Sequence, residues 1–292
     1  MKRPTVLCAG LVTVDFLYEL PSYPKAGEKH RAEAATTRTG GGALNAAAAI
    51  AALGGKAMLA GSIGDDMLGT VVRQEVARLG IDGSCLEVRP GVPTARSTVV
   101  LTADGERTVV NHRDPRLFET PLSSIPEFDA ILMDTRWPAA AKPLLQTACA
   151  GQKPSVIDAE APLADVEDLL PLASHVAFSE QGLEDFTSSS DADGLTQAVQ
   201  RLNTWVCVTR GPQPVLYHDG QKTEQVAAFP VTTSDTLGAG DVWHGAFALA
   251  LADGIPPVGS ITFANAATAL KLKRGDHPPR AEEVKTFIAQ RS

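Results

Sequence analysis

The sequence contains few cysteines and histidines, and those present are scattered. The four cysteines among 292 residues form no C-x-x-C pair, which disfavours a disulfide scaffold or a zinc site and predicts reduced thiols in a cytoplasmic protein. The six histidines show no metal-ligand spacing such as H-E-x-x-H. We therefore predict no protein-bound metal centre.

Long apolar runs and an excess of positive charge are also missing. No run approaches the length of a membrane span. Asp15 interrupts the apolar run that begins at Thr5, which favours a buried first strand over a secretory signal. The net charge of −8 disfavours a nucleic-acid partner, because such a partner normally meets a basic surface. We expect neither nucleic acid nor a membrane among the partners.

Strand-like and helical patterns alternate along most of the chain. Thr5 to Gly10, for example, is continuously apolar, as a buried parallel strand is. The alternation predicts an α/β fold with a doubly wound, mostly parallel sheet, in one domain over residues 1–292. Two segments, near 11–38 and 92–112, do not fit the alternation and predict strands of a small β-sheet lid. The second contains the hairpin signal Asp104-Gly105.

The segment 235–241 reads Asp-Thr-Leu-Gly-Ala-Gly-Asp and is the most informative part of the sequence. It follows a strand-like run, Val226 to Val231, and opens an apolar helical run. Small residues at a helix start let backbone N–H groups approach a phosphate, and the helix terminus adds partial positive charge. We expect Gly238, Ala239 and Gly240 to supply those N–H groups.

The last residue of the segment, Asp241, predicts the chemistry. A carboxylate does not help to bind a phosphate, but it can accept a proton from a hydroxyl that attacks phosphorus. Two other phosphate motifs do not fit: a dinucleotide fingerprint would need glycine where Trp243 stands, and a P-loop would need Ser or Thr where Ala57 follows Lys56.

Three segments together resemble the ribokinase, or PfkB, family of sugar kinases. They are the 235–241 segment, Gly40-Gly41-Gly42-Ala43-Leu44-Asn45, and the glycine-rich segment 61–69 with Asp65-Asp66. The resemblance implies a ribokinase-like fold with a β lid and an ATP-dependent transfer of phosphate to a sugar, with Asp241 as the base. It implies that the sugar contacts are Asp15, Gly41, Gly42 and Asn45.

The nucleotide site is also implied by the resemblance. It would include Thr209 and Gly211 in a T-x-G turn, Thr236 beside the glycines, and Asn265 near the adenine. The family's N-x-x-E pattern, which helps to organise Mg²⁺, is absent here, since the corresponding residues begin with Ser179 and Glu180. Glu180 is a candidate substitute. Some relatives bind K⁺ in the region of Asp235 and Gly275.

The sugar is suggested by a narrower resemblance. The segments 107–111, 134–137, 177–180 and 241–246 resemble those of bacterial sulfofructose kinases within this family. This implies that Lys29, Asn111 and Arg136 hold the sulfonate of 6-deoxy-6-sulfofructose and that its C1 hydroxyl is phosphorylated. An Arg fork, a Lys charge and an amide suit such an anion, and a sugar phosphate equally.

Other functions remain open at this level. Arg136 would also suit a neutral ketose, as in ketohexokinases and fructokinases. A nucleoside kinase would be expected to place aromatic side chains over a base, and aromatics form only 5% of the chain. A sugar-sensing protein without turnover would not need Asp241. An exposed lid is an open sheet edge, so we also expect a homodimer that pairs two lids.

Overall fold

We describe a computed structural model of residues 3–104, 106–233, 236–275 and 278–291. Its larger sheet has nine strands in the order β13-β12-β11-β10-β9-β8-β1-β4-β5, and all neighbours from β11 to β5 are parallel. The strands are β1 (Thr5–Gly10), β4 (Lys56–Gly64), β5 (Asp82–Arg89), β8 (Ala130–Asp134), β9 (Ser155–Ala159), β10 (His175–Ser179), β11 (Trp205–Thr209), β12 (Val215–His218) and β13 (Thr223–Val226).

Helices cover both faces of this sheet, as the predicted doubly wound fold requires. Alternate residues of β1 show this directly, since Val6 and Cys8 join one buried cluster and Leu7 and Ala9 the other. None of the described helices is both long and apolar enough to cross a membrane. The helices are α1 (Gly42–Ala52), α2 (Met67–Arg78), α3 (Pro138–Ala150), α4 (Glu180–Thr187), α5 (Ala192–Leu202), α6 (Ala239–Ala252), α7 (Pro257–Arg274) and α8 (Ala281–Ala289).

A second, four-stranded sheet forms the lid, and it confirms the predicted fold class. Its order is β3-β2-β6-β7, from β2 (Thr13–Leu20), β3 (Ala34–Gly40), β6 (Arg96–Thr102) and β7 (Arg107–His112). These strands come from the two segments that broke the α/β alternation. β6 and β7 pair antiparallel as a hairpin. Of the predicted Asp104-Gly105 turn, Gly105 lies outside the described residues.

One local prediction is wrong, and one helix was not predicted. The run Val226 to Val231 is not a strand: β13 ends at Val226, and residues 227–233 have no regular structure. Sequence analysis also assigned no element to Glu180–Thr187, which is helix α4. Helix α4 begins because the Ser179 side chain accepts a hydrogen bond from Gly182 N at 2.9 Å, which caps its first turn.

Candidate active site

The predicted site residues Ser179 and Thr209 stand at the carboxyl ends of parallel strands, where ligands bind in open α/β sheets. Gly10 ends β1, Asp134 ends β8, Ser179 ends β10 and Thr209 ends β11. The lid begins three residues after β1, at Thr13. The cleft is therefore bounded by the strand ends below and by the lid at the β1 side.

Helices α1 and α6 bring the two most specific predicted residues together. Asn45 of α1 donates a hydrogen bond from Nδ2 to Asp241 Oδ2 at 2.7 Å. The helices cross closely because Gly245 of α6 has no side chain: a Cβ there would lie 2.7 Å from Ala46 O. A small pocket lies beside this contact. It is lined by Gly42, Ala43, Ala46, Leu132, Asp134, Asp158, Asp241 and His244.

Asp241 lies in the first turn of α6, and its carboxyl group is strongly desolvated. Its pKa is raised to about 6, chiefly by burial and also by the nearby charges of Asp158 and Asp134, while the Asn45 hydrogen bond and His244 act in the opposite direction. A carboxyl group with a pKa in this range is ionised at neutral pH yet holds a proton more readily than an ordinary aspartate does. It therefore suits a general base.

Two further buried carboxyl groups lie beneath Asp241, and sequence analysis did not select either as part of the site. Burial raises the pKa of Asp134, although its oxygens accept hydrogen bonds from Leu11 N at 2.7 Å and Arg136 N at 2.9 Å. Burial also raises the pKa of Asp158 well above its ordinary value. The His244 Nδ1 atom lies 3.3 Å from Asp158 Oδ2. Burial lowers the pKa of His244 to about 4, so its ring is neutral at neutral pH.

The loop before α6 has the geometry of an anion site, with one correction. Gly238 is the N-cap of α6 with φ 69°, a conformation that favours glycine. The Ala239 N–H already donates to Thr236 O at 3.1 Å, so it is not available to a ligand as predicted. Gly238 and Gly240 remain as the N–H donors of this turn. Asp235 lies outside the described residues.

The lid carries Asp15 and Asn111, which sequence analysis predicted to contact the sugar. Asp15 on β2, Ser97 on β6 and Asn111 on β7 are paired across three strands and share one face. Burial raises the pKa of Asp15, while hydrogen bonds from Ser97 and Thr13 and the charge of Arg113 lower it. Gly40 is required beside Asp15, because a Cβ there would lie 2.3 Å from Asp15 Oδ2.

Gly41 and Gly42 let the start of α1 pass close to neighbouring atoms. Gly41 has φ 95°, and a Cβ on it would lie 2.3 Å from Leu11 O. A Cβ on Gly42 would lie 3.2 Å from Asp134 Oδ2 and 3.6 Å from Asp241 Oδ1. A side chain at position 42 would therefore press on the Asp134 carboxyl group, and glycine there leaves the start of α1 free to pass beside it.

Of the predicted anion-binding residues, the structure places two near the cleft. Arg136 follows β8, and its Nη2 donates to Glu160 Oε2 and to Ala161 O, both at 3.0 Å. Asn111 lies on the Asp15 face of the lid. Lys29 is exposed in the loop between β2 and β3 and makes no described contact with the other two.

Arg113, which sequence analysis did not select, is a second cation at the cleft. Its charge acts on Asp15, Asp134 and Glu160, and desolvation together with the Arg136 charge lowers its pKa. Within the described part of the chain its guanidinium makes no hydrogen bond or ion pair. No sequence signal separated Arg113 from an ordinary surface arginine, because it stands in a polar segment after an edge strand.

The predicted nucleotide residues lie farther along the strand ends. The Thr209 hydroxyl donates to Phe178 O at 3.3 Å, and Gly211 has φ 56° in the following turn. Glu180 and Thr236 are exposed. Among the described residues, no group of three His, Cys, Asp or Glu side chains is arranged to hold a metal ion.

Asn265 has both ends of its amide occupied in the protein interior. It accepts a hydrogen bond from Trp243 Nε1 at 2.8 Å and donates to Ala227 O at 3.0 Å. These bonds join α6, α7 and the segment after β13. The contact with adenine that was expected of Asn265 stays a prediction, and its described role is structural.

Comparison with known proteins gives a consistent result. A sequence profile described as "pfkB family carbohydrate kinase" matches residues 3–277. The chain is 26% identical to ribokinase of Bacillus subtilis over 94% of its length and 96% of the relative's. It is 34% identical, with a TM-score of 0.93, to an Agrobacterium tumefaciens crystal structure provisionally named a ribokinase, covering 99% of this chain and 98% of the other. The Arabidopsis thaliana ribokinase complexed with ribose and ATP has the same fold, with 21% identity, a TM-score of 0.85 and 99% coverage of both chains.

The electrostatics of Asp241 predict how its carboxyl group titrates. Because burial raises its pKa to about 6, the group is protonated below that pH and ionised above it. In Asn45→Ala the hydrogen bond that favours the ionised form is lost, so the midpoint moves to higher pH. Carboxyl-selective ¹³C NMR measures both midpoints. Asn111→Ala, on the lid, is the control and leaves the midpoint unchanged. A wild-type midpoint near 4, which is ordinary for aspartate, would contradict the raised pKa of Asp241.

Proposed function

The chain belongs to the pfkB family of carbohydrate kinases and is an ATP-dependent sugar kinase, and we propose that Asp241 is the general base of the transfer. The carboxyl group takes the proton of a sugar hydroxyl as that oxygen attacks the γ-phosphoryl group. The observation that carries this proposal is the 2.7 Å bond from Asn45 to a desolvated Asp241, at the start of the helix that follows the glycine turn.

The sugar lies between the lid and the start of α1. Asp15 is the lid carboxylate that pairs with sugar hydroxyls, and a bound sugar supplies donors to a group whose burial is otherwise unfavourable. Gly41 and Gly42 let the sugar approach the backbone. The Asn45 amide nitrogen donates its hydrogen bond to Asp241, so the Asn45 Oδ1 atom remains to accept a hydrogen bond from a sugar hydroxyl.

The γ-phosphoryl group lies at the start of α6. Gly238 and Gly240 donate N–H groups to the charge that develops on its oxygens, and the helix terminus adds a favourable potential. ATP extends from there toward Thr209, Gly211, Ser179 and Thr236. Mg²⁺ accompanies the nucleotide, and Glu180 at the first turn of α4 is the carboxylate nearest in sequence to the missing N-x-x-E pattern. A cytoplasmic location fits the use of ATP and the four free cysteines.

The substrate is an anionic ketose such as 6-deoxy-6-sulfofructose, phosphorylated on its C1 hydroxyl. The support is the pair of guanidinium groups, Arg113 and Arg136, that face one cleft together with the lid amide of Asn111. Two guanidinium groups repel each other when they lie close together, and an anion bound between them offsets that repulsion with charge-assisted hydrogen bonds. Lys29 completes the set if the loop that carries it covers the bound sugar.

A neutral sugar is the second candidate, and one observation favours it. Glu160 already pairs with Arg136 at 3.0 Å, which leaves that arginine less free to bind an anion. In that case Arg136 orders the residues after β9, and the substrate is a neutral ketose or a pentose. The two candidates share the chemistry of Asp241 and differ in what Arg113 and Arg136 bind.

The quaternary structure is a homodimer that pairs two lids. β7 is an edge strand of the lid sheet, and its Val109 and Val110 are 46% and 67% exposed. Open apolar sheet edges are normally covered. We expect light scattering to give the mass of two chains, and Val110→Lys to give one. A wild-type protein that is monomeric at micromolar concentration would contradict the proposal.

Replacing the base tests the reaction. Asp241→Asn keeps the size of the side chain but cannot accept the proton, so turnover should fall about 100-fold or more while sugar binding is nearly unchanged. A coupled ATP-consumption assay and calorimetric sugar binding measure the two effects. Asp253→Asn, at the other end of α6, is the matched control and keeps full turnover. Near-normal turnover in Asp241→Asn would rule out the assignment.

Replacing the lid-side arginine tests the substrate class. In Arg113→Gln, the Michaelis constant for sulfofructose and fructose 6-phosphate should rise by about tenfold or more, since charge-assisted hydrogen bonds are lost. The constants for fructose and ribose should change little. Arg107→Gln is the control, because Arg107 is exposed on β7, the edge strand that Arg113 directly follows. Equal effects on charged and neutral sugars would favour the neutral substrate.

A further inference from the structure

Lys271 is a buried lysine beside the proposed phosphoryl site. It lies in the last turn of α7 with only 6% of its surface exposed. Its Nζ atom donates a hydrogen bond to Leu237 O at 2.6 Å. Leu237 directly precedes Gly238, the N-cap of α6. A charged ammonium group is thus held one peptide away from the N–H donors of the anion loop, defined here as residues 237–240.

Burying an ammonium group is unfavourable unless its surroundings compensate for the lost hydration. Two features compensate here. The group lies near the C-terminal end of α7, where the helix dipole favours a cation. It also binds a backbone carbonyl oxygen at short distance. In the described part of the chain no carboxylate makes an ion pair with Lys271, and the hydrogen-bond acceptor of its ammonium group there is the Leu237 carbonyl oxygen.

The hydrogen bond to Leu237 O also determines the orientation of the next peptide. In a trans peptide the C=O and the following N–H point in opposite directions. Because Leu237 C=O is directed at Lys271, the Gly238 N–H is directed away from α7. Within the described residues this N–H has no partner. Gly238 lies next to the base, since a Cβ on it would be 3.8 Å from Asp241 Oδ2.

We propose that Lys271 is a positioning residue for phosphoryl transfer: its ammonium group is a built-in monovalent cation that orients the anion loop and adds positive charge behind it. This inference rests on the proposed function, because it assigns the loop to the γ-phosphoryl group. The positive charge acts through the peptide and not by contact with the phosphate.

The proposal has a consequence for cofactor use. A hydrated K⁺ or NH₄⁺ ion that binds the Leu237 carbonyl would orient the loop in the same way, because both are monovalent cations that carbonyl oxygens coordinate. The lysine is such a cation, tethered to the protein. On this proposal the protein turns over without K⁺, which answers the question that the resemblance left open for the region of Asp235 and Gly275.

The test is Lys271→Met, which keeps most of the side-chain volume and removes the charge. In sodium buffer free of K⁺ and NH₄⁺, wild type should keep its full kcat. The kcat of the variant should fall on the order of tenfold or more, since a misplaced donor no longer meets the developing charge. Adding KCl or NH₄Cl should restore part of the lost kcat in the variant. The KM for sugar should change little, because the sugar contacts lie on the lid and on α1.

Lys273→Met is the matched control, two residues away on the same helix and exposed, and its kcat should equal that of wild type. A purely structural loss in Lys271→Met would lower the melting temperature without restoration by K⁺ or NH₄⁺, and that result would overturn the proposal. So would a wild-type enzyme that requires K⁺, or an unchanged kcat in Lys271→Met.

Failure of the proposed function is a separate outcome. It would be seen if wild type phosphorylated none of the four sugars named above, which are sulfofructose, fructose 6-phosphate, fructose and ribose. Calorimetric ATP binding would then replace turnover as the readout. Lys271→Met should then bind ATP more weakly than wild type, with NH₄Cl restoring affinity. ATP binding that is equal in the two proteins would overturn the role of Lys271 whatever the reaction.

Discussion

The close crossing of helices α1 and α6 is the constraint on which the site depends. The crossing is possible because α1 is rich in alanine and because Gly245 leaves room for Ala46 O. It places the first turns of two helices over the carboxyl ends of the central strands. Asn45 and Asp241 can then bond at 2.7 Å although they are 196 residues apart in sequence. A larger residue at the crossing would separate the base from its partner before it affected any strand.

Much of this arrangement was predictable from sequence, because it depends on small residues in short motifs. Close approach or positive φ explains the glycines at 40, 41, 42 and 238, and such requirements leave a pattern in the sequence. The lid was predictable for a related reason: its strands interrupt the α/β alternation. Helix α4 was missed because it has only eight residues, most of them polar, and its start depends on a single serine cap.

Residues whose role depends on tertiary position were not predictable. Lys271 belongs to a basic helix end, where lysine and arginine are expected simply to complement the helix dipole. Only the packing of α7 against the anion loop shows that its ammonium group points inward. The run Val226 to Val231 failed in the opposite direction: after β13 ends at Val226 it joins no sheet, and Phe229 instead packs against Phe287 of α8. Periodicity reports that a segment is buried, and not which neighbour buries it.

The charges of the cleft form two regions with different functions. One small pocket is lined by Asp134, Asp158 and Asp241, where burial raises the pKa of each, and this keeps Asp241 able to hold a proton. At the rim and behind the glycine loop, Arg113, Arg136 and Lys271 make the site locally basic in a chain whose net charge is −8. The first region depends on the helix crossing and serves any hydroxyl acceptor. The second is divided between the sugar side, where Arg113 follows β7 and Arg136 follows β8, and α7, whose Lys271 we propose to act on the phosphoryl side. On these proposals a change of substrate requires changes around the two arginines, and Asp241 and the glycine turn can stay as they are.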